Sequence, residues 1–256
     1  MYKTVIVEQD EHVLTVTLNR PEQRNAFNNP MRFEMSELWA DVRQDRSVRC
    51  VVVTGAGKGF CAGADMDGLD GVRAPLGDDI HDELAFLPGR RLEVPVIVAV
   101  NGVFAGGGLH YVADADIVIA GEDAWFTDPH VGVGQVSGIE PTSLGLRLPL
   151  GAIARMVLLG RHERWDAQRA LALGLVSEVV PADQLLARAH ELAGWIAEAS
   201  PESIRQSRAV YRRLESDTVG EAMADGWAAV MRHWAHPDAD EGPRAFLERR
   251  DPDWQD

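Results

Sequence analysis

Two glycine-rich segments carry the residues best suited to chemistry through the backbone. They are Phe60-Cys61-Ala62-Gly63-Ala64-Asp65 and Ala105-Gly106-Gly107-Gly108-Leu109-His110. Small residues let a ligand approach main-chain N–H groups closely, and a helix that starts after the second segment would add positive potential there. Two such N–H groups that converge on one carbonyl oxygen would form an oxyanion hole. Tight packing between a helix and a strand explains the same glycines equally well.

Other motifs with catalytic or nucleotide-binding meaning are incomplete in this sequence. The run Gly55-Ala56-Gly57-Lys58-Gly59 fits neither the dinucleotide fingerprint nor a phosphate loop that ends in Gly-Lys-Ser/Thr. His162-Glu163 lacks the second histidine of a zinc-protease helix, and no Gly-x-Ser-x-Gly esterase elbow occurs. Cys50 and Cys61 have neither disulfide nor metal spacing, so we predict two reduced thiols and no metal site.

The balance of charge restricts the partners of this protein. The 256 residues include 40 acidic and 25 basic side chains, for a net charge of -15. Such a field repels nucleic acid, and a small anionic ligand would need backbone N–H groups or local arginines to bind. The sequence shows no signal peptide and no apolar run long enough to span a membrane. We therefore expect a cytoplasmic protein without a membrane partner.

The hydrophobic pattern predicts a mixed α/β fold. A hairpin over residues 2–8 and 13–18 is followed by an amphipathic helix over residues 30–42, with Asn29 as its cap. Further strands are predicted at 49–54, 95–100, 117–120 and 176–180, and the first two of these run into glycine turns. Further helices are predicted at 81–87, 109–113, 152–159, 166–173 and 182–199.

A domain boundary is predicted near Ser200-Pro201. Residues 201–256 hold no strand signal, and helical patterns at 202–214, 219–234 and 240–249 indicate an all-helical region after a core of residues 1–200. Residues 67–91 are poorly periodic and rich in Gly, Asp and Pro, which predicts loops in the most mobile part of the chain.

Three motifs, in order along the chain, resemble the signatures of the crotonase superfamily, the enoyl-CoA hydratase/isomerase family. They are Asn19-Arg20-Pro21-Glu22-Gln23-Arg24-Asn25-Ala26-Phe27, the run from Thr54 to Met66, and the run from Pro95 to Gly108. The similarity continues through Phe246-Leu247-Glu248-Arg249-Arg250 and so spans essentially the whole chain. It implies a spiral of ββα units with a C-terminal helical region that packs at the contacts of a homotrimer or homohexamer.

The resemblance also implies a coenzyme A thioester as substrate, and no permanently bound cofactor. By motif position, the oxyanion donors would be the N–H groups of Ala64 and Gly107. The residues that would flank the adenine and pantetheine portions are Arg24, Ala26, Ala62, Asp65 and Met66. The segment 67–91 would line the acyl pocket, and it has no signature that identifies the acyl group.

Both positions at which hydratases of this family carry a glutamate hold histidine here. His110 follows Gly107 by three residues, and His130 comes twenty residues later. Imidazoles can also transfer protons. A helix N-terminus would keep His110 neutral, and Asp128, on extended chain, could orient the His130 ring. Glu140 is a further acid/base candidate if its loop faces the pocket. The alternative is that both histidines merely fill space in a binding pocket.

We therefore expect an enzyme of the enoyl-CoA hydratase/isomerase type, which stabilises an enolate-like oxyanion at a thioester carbonyl. Double-bond isomerisation, C–C cleavage and thioester hydrolysis are alternative reactions that use the same enolate. A catalytically silent acyl-CoA-binding protein is the alternative from a different class. It predicts ester binding without turnover.

Overall fold

The computed structural model describes residues 2–66 and 79–255, which form ten strands and nine α-helices. The strands are β1 (Val5–Asp10), β2 (Val13–Leu18), β3 (Cys50–Gly55), β4 (Gly59–Cys61), β5 (Val96–Val100), β6 (Val103–Ala105), β7 (Ile117–Gly121), β8 (Trp125–Thr127), β9 (Trp165–Asp166) and β10 (Glu178–Val180). The α-helices are α1 (Asn29–Val42), α2 (Ile80–Glu83), α3 (Leu109–Asp114), α4 (Glu140–Leu144), α5 (Leu150–Leu159), α6 (Ala167–Leu173), α7 (Leu185–Glu198), α8 (Pro201–His233) and α9 (Asp238–Glu248). Within these ranges, no helix combines the length and apolar character that a bilayer crossing demands.

The larger sheet has six strands in the order β1-β2-β3-β5-β7-β10, and only the β1–β2 pair is antiparallel. Its central strands β3 and β5 are buried on both faces. Cys50 and Val52 of β3 pack with α7, while Val51 and Val53 face the main core. A strand covered on both sides has no polar face, which explains the continuous apolar runs in the sequence.

The smaller sheet has the order β4-β6-β8-β9 and was not predicted from the sequence. Each of its first three strands follows a strand of the larger sheet after a short turn, so that β3–β4, β5–β6 and β7–β8 alternate between the two sheets. This alternation is the spiral arrangement that the resemblance implies. The predicted α/β class is confirmed.

Three local predictions need correction. Asn28, one residue before the predicted cap, accepts a hydrogen bond from the Met31 N–H and caps α1. The helix predicted at residues 81–87 is the shorter α2, which ends at Leu84 (φ -92°, ψ 16°) although Leu84 and Leu87 continue the apolar spacing from Ile80. Residues 215–218 continue α8 and do not break it, because they contain neither Gly nor Pro and Thr218 Oγ1 donates to the Leu214 carbonyl. Of the predicted loop segment, residues 67–78 lie outside the described residues.

A buried ionic cluster fastens α8 to the core. Asp116 accepts hydrogen bonds from Arg208 Nε at 2.9 Å, from Arg212 Nε at 3.0 Å and from the Tyr211 hydroxyl at 2.7 Å. It also accepts from the Val96 N–H at 2.8 Å, at the start of β5. The Asp116 side chain is only 5% exposed. The helical region is therefore tied to the strands that carry the glycine turns.

A second contact between α8 and the core involves two glycines. A Cβ atom on Gly226 would lie 2.2 Å from the Gly138 carbonyl oxygen, and one on Gly138 would lie 2.6 Å from the Gly226 oxygen. The backbone of α8 can approach the segment before α4 this closely only because neither residue has a side chain.

Gly226→Ala should lower the free energy of unfolding by about 1–3 kcal/mol, because its methyl group would push α8 away from Gly138. Gly220→Ala on the same helix is the matched control. A Cβ atom at Gly220 meets nothing within 4 Å, so the better helix propensity of alanine should stabilise the protein by up to about 1 kcal/mol. Thermal melting of both variants measures the two effects, and a Gly226→Ala protein as stable as the control would contradict the close contact.

Both cysteines are free, as predicted, and both are buried. Cys50 lies in β3 and Cys61 ends β4, directly before the first glycine-rich turn. Burial raises the pKa of each thiol to about 12.

Candidate active site

The amides of Ala64 and Gly107 are both left free by the backbone pairing around them. Phe27 donates its N–H to the Gly63 carbonyl at 2.8 Å, and Asp65 donates to the Phe27 carbonyl at 2.9 Å. In this parallel bridge the N–H of Ala64 itself points away from Phe27. Gly107 lies in a 3-10 turn over residues 106–108, whose first N–H groups have no acceptor within the turn. Within the described ranges, neither N–H donates to a backbone carbonyl.

The same two amides lie close to each other. A Cβ atom on Gly107 would lie 3.7 Å from the Ala64 nitrogen, and one on Gly63 would lie 3.1 Å from the Gly107 nitrogen. A side chain on Gly107 would also come within 2.7 Å of the Phe27 ring. Glycine at these positions is therefore what allows a third group to approach both nitrogens.

A cavity of about 220 Å³ opens beside the two amides. Among the described residues, its ionisable lining consists of His110, His130, Glu83 and Glu140. Its aromatic lining consists of Phe27, Phe86, Trp227, Trp234 and Phe246. Two hollows of about 400 and 410 Å³ lie elsewhere on the protein, but neither borders a glycine-rich turn. An apolar cavity with a few convergent polar groups is the usual form of a small-molecule site.

His130 is held by a buried carboxylate. Its Nδ1 donates to Asp128 Oδ1 at 2.6 Å, and its backbone N–H donates to the same oxygen at 3.1 Å. The Ser137 hydroxyl donates to the other oxygen of Asp128 at 2.5 Å. The expected contact between Asp128 and the His130 ring is therefore present, although the chain turns here and is not extended, with Pro129 at φ -84° and ψ -1°.

Glu140 lies between the two histidines. Its Oε1 is 3.2 Å from His110 Nε2 and 3.5 Å from His130 Nε2. The Glu140 side chain is 6% exposed and lines the cavity, so the loop before α4 does face the site. Asp128, His130, Glu140 and His110 therefore form a continuous chain of ionisable groups.

The pKa values of the two histidines move in opposite directions. Burial lowers the pKa of His110, helped by the nearby His130 and only partly opposed by Glu140. Burial also lowers the pKa of His130, but Glu140 and Asp128 outweigh this effect and raise it to about 9. At neutral pH His110 is uncharged and His130 is a cation. The sequence predicted the direction for His110 but attributed it to a helix dipole, whereas burial is the main cause.

Of the residues predicted to flank coenzyme A, Ala62, Asp65 and Met66 lie in the first glycine-rich segment, and Arg24 and Ala26 lie in an earlier segment that contacts it. The Ala62 N–H donates to the Arg24 carbonyl at 3.0 Å, which joins the two segments. Ala62 and Met66 line the cavity, and the Arg24 side chain is exposed. Ala26 is buried, and its carbonyl accepts a hydrogen bond from the Arg20 guanidinium.

Sequence reasoning missed Arg20 as a member of this region. Its Nη2 pairs with Asp65 Oδ2 at 2.7 Å, and its Nη1 donates to the Ala26 carbonyl at 2.5 Å. Arg20 therefore holds together two of the residues predicted to flank the ligand. Only its place in the first motif could have indicated this role.

Sequence reasoning also missed the wall that the C-terminal helices provide. Trp227 and Val230 of α8, with Trp234 just after it, line the cavity, and Phe246 of α9 completes this side. Their spacing of three and four residues indicates one apolar helix face. That spacing does not say which surface the face covers.

Comparison with known proteins gives a consistent result. The sequence matches the family described as enoyl-CoA hydratase/isomerase over residues 8–256. A mevalonyl-coenzyme A hydratase of Aspergillus fumigatus is 37% identical, over 95% of this chain and 92% of its own length. A carnitinyl-CoA dehydratase of Escherichia coli is 35% identical, over 100% of this chain and 99% of its own.

The fold also matches solved structures. The crystal structure of an enoyl-CoA hydratase/isomerase from Mycobacterium paratuberculosis is 39% identical, covers 100% of this chain and 99% of its own, and superposes with a TM-score of 0.79. The predicted crotonase fold is therefore confirmed.

Proposed function

The chain belongs to the enoyl-CoA hydratase/isomerase family, and from that premise we propose that it adds water to the double bond of an enoyl-CoA thioester and catalyses the reverse dehydration. The observation that carries this proposal is the common cavity of two free amides and two histidines of opposite pKa shift. The names of a hydratase and a dehydratase among the relatives favour reactions of water.

The proposed reaction begins with the thioester oxygen accepting hydrogen bonds from the N–H groups of Ala64 and Gly107. Neutral His110 takes a proton from water while the water oxygen bonds to Cβ, and the electron pair of the double bond moves toward the thioester oxygen. The enolate then collapses, and Cα takes a proton from cationic His130. One proton leaves water and one reaches Cα, so the site is restored when His110 loses a proton and His130 gains one.

The coenzyme A portion would lie along the residues proposed above, Arg24, Ala26, Ala62, Asp65 and Met66. Arg24 is exposed and would supply local positive charge for an anionic ligand in an acidic protein. Asp65 would act by holding the turn in place and not by touching the ligand with a free polar group, since its carboxylate pairs with Arg20 and its N–H donates to the Phe27 carbonyl. A cytoplasmic homotrimer or homohexamer remains our expectation for the assembly.

A panel of enoyl-CoA and 3-hydroxyacyl-CoA esters of different chain length and polarity tests the proposal. Incubation with enzyme should convert at least one enoyl-CoA to a product heavier by one water, measured by mass spectrometry, and the reverse reaction should regain the ultraviolet absorbance of the enoyl thioester. A product of unchanged mass with a shifted double bond, or free acid with coenzyme A, would assign a different reaction. Binding of esters without any product would reject catalysis.

A further inference from the structure

Three separate elements bring three ionisable side chains to one point. His110 is on α3, His130 begins the turn over residues 130–133, and Glu140 begins α4. A single oxygen, Glu140 Oε1, faces the Nε2 atom of both rings, at 3.2 and 3.5 Å. All three side chains lie on the cavity that contains the two free amides.

The contacts of the two rings differ at their other nitrogen. Nδ1 of His130 donates to Asp128, so a proton on Nε2 as well makes this ring an imidazolium. Nδ1 of His110 has no hydrogen-bond partner within the described ranges. An ionised carboxylate accepts only, so Glu140 favours a proton on Nε2 of His110 and leaves the Nδ1 lone pair available as a base.

We propose that Glu140 is a positioning residue that divides the two histidines into an acid and a base, with its shared oxygen facing Nε2 of both rings. This inference rests on the proposed function. It assigns the separation of acid and base roles to Glu140, which lies outside the two positions, those of His110 and His130, that the family resemblance identifies. His130 is then the proton donor and His110 the proton acceptor.

The charges around His130 support this division. Asp128 faces it from its own turn, and Glu140 and His110 face it from α4 and α3. From the other elements packed against this turn, the Arg161 side chain lies near Gly132, and His233 of α8 contacts the Gly134 carbonyl. Glu140 raises the pKa of both rings, but burial outweighs it at His110, whereas Asp128 adds to it at His130. The two pKa values therefore lie apart, as in enzymes that assign acid and base roles to two groups.

Glu140→Gln tests the proposal, because glutamine keeps the shape and removes the charge. In the wild type, NMR titration of labelled imidazoles should give His130 a pKa of about 9, and in Glu140→Gln that pKa should fall toward the ordinary histidine range. The alkaline limb of the pH profile of kcat should move to lower pH in the same variant. At pH 8, kcat should fall about tenfold or more, with a smaller change in KM.

Glu93→Gln is the control, since Glu93 is exposed and its ion pairs with Arg46 and Arg205 are long, at 3.5 and 3.7 Å. It should leave both the His130 titration and the pH profile unchanged. A His130 titration that is the same in Glu140→Gln and wild type would overturn the proposal, whether or not the protein turns over any ester. Absence of turnover by the wild type, with the His130 pKa shifted by Glu140→Gln, would reject hydration and retain the charge division.

Discussion

His130→Gln should lower kcat for the best enoyl-CoA ester by about 10²-fold or more, with a smaller effect on KM. Glutamine fills similar space and can still donate a hydrogen bond, but it cannot deliver a proton to Cα. His110→Gln should show a comparable loss, because it removes the base that takes the proton from water. Steady-state kinetics on purified variants, with circular dichroism to establish folding, measures both effects.

The dependence of the wild-type rate on pH is a further test of the role of His130. The wild-type rate should fall as pH rises through about 9, where His130 loses the proton that it donates. His162→Gln is the control, because His162 is exposed and lies outside the cavity. If His110→Gln and His130→Gln both kept the wild-type rate, the histidines would be pocket-filling residues, and a rate-determining role would have to be assigned elsewhere.

Asp116→Asn should destabilise the protein by about 3–5 kcal/mol. The substitution keeps the size of the side chain but leaves Arg208 and Arg212 buried without their shared negative charge. Urea unfolding followed by tryptophan fluorescence measures this loss.

A surface pair on the same helix provides the comparison. Asp217 pairs with Arg213 at 3.4 Å, with side chains 66% and 82% exposed. Asp217→Asn should therefore change the free energy of unfolding by about 0.5 kcal/mol or less. Equal losses in the two variants would show that the Asp116 cluster does not fasten α8.

The central strands of the larger sheet could be predicted from sequence because they are apolar runs, such as Val51-Val52-Val53. The smaller sheet could not, since β4, β6 and β8 have three residues each and read as parts of glycine turns. These short strands nevertheless fix the direction of the turns that hold Ala64 and Gly107. The local sequence pattern therefore identified the two glycine turns, but not the short strands that set their orientation.

The candidate site divides in the same way. The glycines, His110 and His130 stand out by residue type and position, and Asp128 is close to His130 in sequence. The place of Glu140 depends on how α4 packs beside α3, and that of Trp227 depends on where α8 lies on the core. Such contacts join residues far apart in the chain, so no local periodicity contains them.

The burial of Cys61 gives the protein an internal reporter. Its thiol lies in the strand that leads into Ala62-Gly63-Ala64, and with a pKa of about 12 it has almost no thiolate at neutral pH. An alkylating reagent can reach it only when this strand separates from its neighbours, so the labelling rate measures how often that happens. A bound thioester that accepts a hydrogen bond from the Ala64 amide would slow that labelling. The labelling rate would then report the fraction of protein with ligand bound, without any catalytic assay.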